Sequence, residues 1–461
     1  MLKKYIGDRA FYRRVLAVMI PVLIQNVITN FVSLLDNLMV GRIGTEPMSG
    51  VAIVNQILFV FNLSIFGGLA GAGILTAQYF GKKDNEGVRD SMRAKLWIAA
   101  GITIVAGIVF IVYGENLISL FIHEGEENLD LAATLEYGKD YLKIMLIQVP
   151  VFALLNVYSS TLRETGETRL PMTAGIIAVF VNLFFNYMLI YGKLGAPRLG
   201  VVGAAIATVI ARFVECGIVI VRTHTHRGKN PFIKGFYKTL YVPKEMRGRI
   251  IRLGTPLLIN EFLWSGGMTT LNQVMSARGL EVVSAENICS TVSNLFFCAF
   301  FAMGTTVSII VGQLLGAGEI ERAIDEDRKL IAFSVAQCFV VGIVMVILAP
   351  LIPHLYNTTD RVRELAASML IVNAIMMPSN AFTNACYFTI RSGGKTIITF
   401  LFDSAYIWVL SIPITLILVK FTALPIIPIY AISYGLDFLK CAAGYILVKK
   451  RIWVNNLVET E

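Results

Sequence analysis

Gly312-Gln313-Leu314-Leu315-Gly316 lies 235 residues after Ala77-Gln78-Tyr79-Phe80-Gly81, with its Gln and second Gly in the same register. At that offset Pro21 also meets Pro256, Gly44 meets Gly279, Glu86 meets Glu321, Asp90 meets Asp325 and Arg93 meets Arg328, with no gap. Further along, an offset of 228 pairs Pro150 with Pro378, Asn156 with Asn384, Thr161 with Thr389, Arg163 with Arg391, Gly166 with Gly394 and Thr168 with Thr396. The chain therefore reads as two halves, 1–225 and 245–461, joined by a basic linker at 226–244.

What each half contains follows from composition. Of 461 residues, 56% are hydrophobic and only 15% charged, with a mean hydropathy of +0.69. A soluble domain carries about 25% charged residues. Apolar runs of about 20 residues, enough for a helix to cross a hydrocarbon core of about 30 Å, recur throughout. Twelve are expected, near 15–40, 48–76, 94–113, 131–158, 170–191, 200–221, 250–273, 284–315, 330–352, 364–389, 397–419 and 426–448. Alternating segments of about ten residues, the mark of a transmembrane barrel, do not occur. The fold class is all-α integral membrane, with twelve transmembrane helices in two pseudo-symmetric six-helix lobes. An even number of spans per half makes the halves parallel in topology, a plan that transporters use with substrate between two rocking halves.

The net charge of +9 does not point to nucleic acid, because the basic residues are segregated. Twenty-nine of the 40 Lys and Arg fall before the first span, after the last, or in alternate connections, whereas the other connections hold only Arg42, Lys193, Arg198, Arg278, Arg361, Arg363 and Lys420. The acidic His123–Asn128 segment falls on the sparsely basic side. The positive-inside rule places both termini and the linker in the cytoplasm. All six cysteines lie within spans, which disfavours extracellular disulfides and a metal site. The first apolar run is too long for a signal peptide and is expected to stay as a span. His224 and His226 have no zinc-binding arrangement around them, and no nucleotide-binding glycine loop is present. No enzyme, cofactor or nucleic-acid partner is expected.

Polar residues inside the spans are the candidates for function, because a charge at the bilayer centre costs roughly 2.5–3.5 kcal/mol on insertion scales. Asp36, in Ser33-Leu34-Leu35-Asp36-Asn37-Leu38, is the single formally charged residue from Val15 to Val40. Counting 22 residues from Arg14 at about 1.5 Å each gives roughly 33 Å, which leaves a straight helix with Asp36 at the outer boundary. Tilt or a bend at Pro21 would hold it deeper. Asn182 and Asn186 are spaced i, i+4 on one helix face, where their oxygens suit a cation and their amides equally suit interhelical hydrogen bonds worth roughly 0.6 kcal/mol. Thr208 stands in the small-residue run Gly203-Ala204-Ala205-Ile206-Ala207, which reads mainly as a packing surface. In the second half Glu261, five residues after Pro256, is a third of the way into its span and suits a proton carrier or a counter-charge for a cationic ligand. Asp403 is early enough in its span to face headgroups. Arg212 with Glu215, and Asp437 with Lys440, read as structural i, i+3 pairs. At the repeat offsets Asp36 falls on Leu271, and Asn182 and Asn186 on Leu410 and Ile414, so the first half carries polar groups that the shared scaffold does not require.

Pro21 followed by Asp36, Val40-Gly41-Arg42-Ile43-Gly44, Ala77-Gln78-Tyr79-Phe80-Gly81, Leu162-Arg163-Glu164-Thr165-Gly166-Glu167-Thr168, Asn182 with Asn186-Tyr187, and Gly200–Thr208 together resemble the multidrug and toxic compound extrusion (MATE) family. The second-half stretches Gly312–Gly318 and Ile390–Thr396 extend the resemblance over essentially the whole chain. It implies a V-shaped pair of lobes that exports organic, often cationic, compounds in exchange for Na⁺ or H⁺. It also implies a cation site at Asp36, Asn182, Asn186 and Thr208, where Na⁺ is a possible ligand. Some members carry Asp at the place of Asn186, so Asp36 is the single carboxylate of this set, and the ion stays open between Na⁺ and H⁺. The family's seventh-helix Glu falls here on Trp264, so Glu261, and Asp403 with it, are substrate or proton candidates on their own merits. A monomer in the cell membrane is expected, with membrane lipid and a small organic substrate as partners. The alternative is a flippase for a lipid-linked sugar, which would line its cavity with several basic residues.

Overall fold

A computed structural model describes residues 4–121 and 130–459; the acidic His123–Asn128 segment lies outside them. The described chain is helical, without strands, and forms twelve long rods. The first six are α1 (Arg9–Gly41), α2 (Thr45–Gly81), α3 (Asn85–Ser119), α4 (Leu131–Glu164), α5 (Arg169–Tyr191) and α6 (Gly200–Thr225). The second six are α7 (Lys244–Ser276), α8 (Leu280–Gly316), α9 (Ile320–Leu348), α10 (Asp360–Ser392), α11 (Thr396–Phe421) and α12 (Ile426–Lys449). Eleven of the rods are long and apolar enough to cross a membrane; α7, which carries Arg247, Arg249, Arg252 and Glu261, is the twelfth. Two depart from regular α-helix. The middle of α11 is π-helical over Leu401–Ala405 and Ile407–Ser411, and α12 is interrupted at Leu436.

The chain folds into two compact units, 24–76 with 85–251, and 1–23 with 77–84 and 252–461. They are called here the N-unit and the C-unit. The units interleave along the chain rather than following the halves 1–225 and 245–461. The reason is packing: Phe11, Val15, Met19 and Val22 of α1 share a core with Val307, Ile310, Leu314 and Ile331.

Apolar burial gains little where the alternative environment is lipid, so helices in a membrane are held by close approach and by polar pairs. Glycines supply the first. A Cβ on Gly81 would overlap the backbone of Gln313, and one on Gly316 the backbone of Gln78, a reciprocal crossing of the two repeat-related motifs within the C-unit. In the N-unit, a Cβ on Gly50 would come within 2.8 Å of the Thr134 carbonyl. Polar pairs supply the second. Lys95 is completely buried and its ammonium bonds Glu164, Ser160 at 3.1 Å and Thr161 at 3.2 Å.

The basic linker is a folded strap on the N-unit. Phe232, Ile233 and Phe236 are buried. Arg89 Nε donates to the Phe232 carbonyl at 3.0 Å, Arg93 to the carbonyls of Phe236 at 3.1 Å and Gly235 at 2.8 Å, and Trp97 Nε1 to that of Leu240 at 2.9 Å.

Candidate functional site

The small-residue face of α6 sets up the N-unit site. Gly203 lies so close to α5 that a Cβ there would stand 2.7 Å from the backbone of Leu189. That approach brings Thr208, a little over one turn further along α6, against Asn182. Gly192, in the left-handed conformation at φ 66°, ends α5 just after the site. At the same end Tyr191 Oη donates to the Met39 carbonyl at 3.0 Å, which ties the last turn of α1 to α5. An aromatic at a helix end gave no sequence signal of this bond.

The four residues expected to act together form one chain of hydrogen bonds. Asn186 Nδ2 donates to Asp36 Oδ1 at 2.5 Å and to Asn182 Oδ1 at 3.0 Å. Asn182 Nδ2 donates to Thr208 Oγ1 at 3.3 Å, and Thr208 donates to the Ala204 carbonyl at 3.0 Å. Asn182 and Asn186 are buried. Because both amide hydrogens of Asn186 point at oxygens, its own Oδ1 is buried with no hydrogen-bond partner among the described residues. Leaving such an acceptor unsatisfied costs about 1–3 kcal/mol.

Asp36, Asn182 and Thr208 line a cavity of about 290 Å³ inside the N-unit, together with Gln25, Asn55, Tyr141, Gln148, Arg212 and Glu215. Arg212 and Glu215 form the expected i, i+3 ion pair at 2.8 Å. Two carboxylates against one guanidinium leave the cavity wall with a formal charge of −1. Gln25, Asn55 and Tyr141 escaped the sequence reading, since single polar residues in a span are common and carry no pattern.

The C-unit holds a different polar cluster. Asp403, in the π-helical part of α11, pairs with Lys440 Nζ at 2.6 Å and accepts from Asn260 Nδ2 at 3.2 Å. This corrects two expectations. Asp403 faces a half-buried partner within the protein rather than the headgroups, and the ion pair of Lys440 is with Asp403 rather than Asp437. The break at Leu436 and the widened turn of α11 turn these two side chains toward each other. Asn260 is at the centre of the cluster: its Oδ1 accepts from Ser404 Oγ at 2.7 Å and its Nδ2 lies 3.4 Å from Tyr387 Oη. Glu261, half-buried on α7, is outside this hydrogen-bonded set and feels the charges of Arg391 and Asp403. The signal for Asn260 was available in the repeat, because 235 residues earlier stands Gln25, which lines the N-unit cavity. Another carboxylate that the sequence reading passed over, Glu286 on α8, is also buried.

A multi-pass helical membrane protein built from two repeats, with a carboxylate-amide-hydroxyl chain opening on an internal cavity, has the parts of a transporter. Residues 21–188 and 256–417 match the MatE family profile, so the chain belongs to the MatE family, the multidrug and toxic compound extrusion transporters. Among curated proteins it is 26% identical to the probable multidrug resistance protein NorM of Thermotoga maritima, over 87% of this chain and 84% of that one. It is 24% identical to the probable multidrug resistance protein YoeA of Bacillus subtilis, over 96% and 95% of the two chains. It has the fold of solved MATE transporters: a mutant form of VcmN from Vibrio cholerae superposes with a TM-score of 0.86 at 17% identity, covering 97% of this chain and 98% of that one.

Proposed function

We propose that this protein is a cation-coupled antiporter of the cell membrane that exports organic, mainly cationic, compounds, with Asp36, Asn182, Asn186 and Thr208 as the site of the coupling ion. The supporting observation is the orphaned Oδ1 of Asn186. Turning that amide over would aim its oxygen at Asp36 and Asn182, an arrangement that repels unless a positive charge stands between them. A small cation would then meet oxygens from Asp36, Asn182, Asn186 and Thr208, ligands that suit Na⁺. A proton on Asp36 would instead make its carboxyl a donor, with the turned Asn186 Oδ1 as the acceptor. Either ion gives the orphaned Oδ1 of Asn186 a partner, and an ion that binds one orientation of the protein better shifts the conformational equilibrium by that difference in affinity.

The relatives named for multidrug resistance support export as the direction and drugs as the cargo. The −1 wall of the N-unit cavity favours cationic compounds over the pyrophosphate lipid that a flippase would bind. In this reading the halves 1–225 and 245–461 are the rocking lobes of a monomer whose termini face the cytoplasm, and no cofactor is used. Glu261 is kept as a proton or substrate group of the second half, whereas Asp403 is internally neutralised by Lys440. The test is counterflow of a cationic dye in proteoliposomes with Na⁺ and pH gradients imposed separately. Uptake that follows one gradient supports antiport, and uptake indifferent to both refutes it.

A further inference from the structure

The repeat predicts a groove in each half, and the two are filled differently. In the N-unit, Arg93, Trp97 and Tyr158 hold the linker: Arg93 and Trp97 bind its carbonyls, and Tyr158 Oη lies 2.5 Å from Tyr237 Oη. At the offsets of 235 and 228 these residues correspond to Arg328, Ala332 and Cys386. All three line a cavity of about 780 Å³ in the C-unit. Ala332 in place of a tryptophan, and Cys386 in place of a tyrosine, leave it wide. Arg93 also pairs with Asp90 at 2.7 Å, whereas the guanidinium of Arg328 makes no hydrogen bond or ion pair among the described residues.

The lining of the C-unit groove divides by charge. Arg328, Lys449 and Arg451 stand at one end. From there Ile331, Ala332, Val335, Ala336 and Phe339 form one face of α9, an apolar track of about 12 Å at 1.5 Å per residue. Phe339 and Tyr445, on its walls, are more than half exposed, so the groove opens sideways where a bilayer's hydrocarbon would lie. Two carboxylates oppose the cations: Asp327, buried and bonded by Thr389 Oγ1 at 2.5 Å, and Glu321, an exposed group 3.9 Å from Arg451. Arg451 adopts φ 55°, the left-handed conformation at the end of α12 where glycine is the usual residue. A guanidinium is held there against a backbone preference of roughly 1–2 kcal/mol.

We propose that this groove binds an anionic phospholipid of the cytoplasmic leaflet, with its phosphate on Arg328 and Arg451 and one acyl chain along Ala332 to Phe339. The lipid takes in the C-unit the place that the linker takes in the N-unit: phosphate oxygens replace peptide carbonyls, and an acyl chain replaces Phe236 and Tyr237. Basic pockets between transmembrane helices on the cytoplasmic side have this chemistry. A lipid is favoured over a peptide or a free anion because only a lipid reaches both the basic end and the laterally open apolar track.

The experiment is native mass spectrometry of the full-length protein in detergent, with phosphatidylglycerol or phosphatidylcholine of matched chains added back. Preferential retention of phosphatidylglycerol is expected, falling about 5-fold for each guanidinium removed in Arg328→Ala and Arg451→Gly. Arg451→Gly relieves the backbone, so loss of lipid in that variant does not reflect misfolding. Ala332→Trp restores the residue of the N-unit and should expel both lipids with every charge in place, while Arg361→Ala should change nothing. Equal retention of the two lipids, full retention by Arg328→Ala combined with Arg451→Gly, or full retention by Ala332→Trp would each overturn the proposal. So would complete displacement of phosphatidylglycerol by glycerol phosphate alone, which would mark a free-anion site.

Discussion

Asp36 in the N-unit and Asp403 in the C-unit are aspartates at positions the repeat does not relate, and their carboxylates are partnered in opposite ways. Asp403 has an ammonium of its own, Lys440 at 2.6 Å, backed by the Asn260 amide. Asp36 accepts from a neutral amide, Asn186, and faces a cavity. A carboxylate with a built-in cation has no need of another and serves as a fixed joint. One with neutral donors can take an ion or a proton from solution and give it back. In the function proposed above, this difference separates a structural carboxylate from an exchangeable one without reference to depth, the quantity that a residue count along α1 left ambiguous.

The strongest way to break this comparison is Asp36→Asn. Its expected outcome is dye export that falls to background under either ion gradient, with protein yield and heat stability unchanged to within about 1 kcal/mol, because no charge is left unpaired. Dye efflux from vesicles measures the first and thermal unfolding in detergent the second. Export at the normal rate would place the exchangeable group elsewhere.

Next in size is Lys440→Met, which strands Asp403; because the pair is half-buried, the loss of stability should sit at the low end of the about 3–5 kcal/mol that breaking a buried pair from one side costs. Adding Asp403→Asn should return most of that loss, since two neutral partners replace the pair. Thermal unfolding of the two variants decides the point, and a double variant no better than Lys440→Met would show that Asp403 has a role beyond balancing Lys440.

The spans, the repeat and the Asn182-Asn186 face were legible because each rests on a periodicity: run length, a fixed offset, or i, i+4 spacing. Orientation was not. A transmembrane helix is apolar on its lipid side and its packed side alike, so nothing in α7 told that Asn260, rather than the charged Glu261 next to it, turns toward the buried cluster. One residue is a rotation of about 100°. Lys440 was misassigned for a related reason: Asp437 is nearer in sequence, but the break at Leu436 and the π-helical stretch of α11 are local backbone events with no compositional mark. Thr208 was read as part of a packing surface, and it is one. The same close approach of Gly203 to α5 is what delivers its hydroxyl to Asn182.

A smaller effect sharpens the comparison from the side of charge. Asn186→Asp gives the N-unit site a second carboxylate and no built-in cation, the reverse of the Asp403 arrangement. It should tighten the coupling ion by roughly tenfold, about 1.4 kcal/mol. The concentration of ion that half-saturates export measures this directly, and weaker ion binding would show that the amide of Asn186 is needed as a donor.

The smallest expected effect is Thr208→Val, and it tests how far along the chain of hydrogen bonds the ion is felt. The substitution keeps the shape of the side chain and removes the acceptor of Asn182 Nδ2, a bond of 3.3 Å. Interhelical hydrogen bonds in membranes are worth roughly 0.6 kcal/mol, a little under threefold in affinity. If Thr208 only orients Asn182, ion affinity should fall by about that factor with maximal export unchanged. A loss comparable to Asp36→Asn would instead make Thr208 a direct ligand of the ion, because a hydroxyl that coordinates the charge itself cannot be removed so cheaply from a set with one carboxylate.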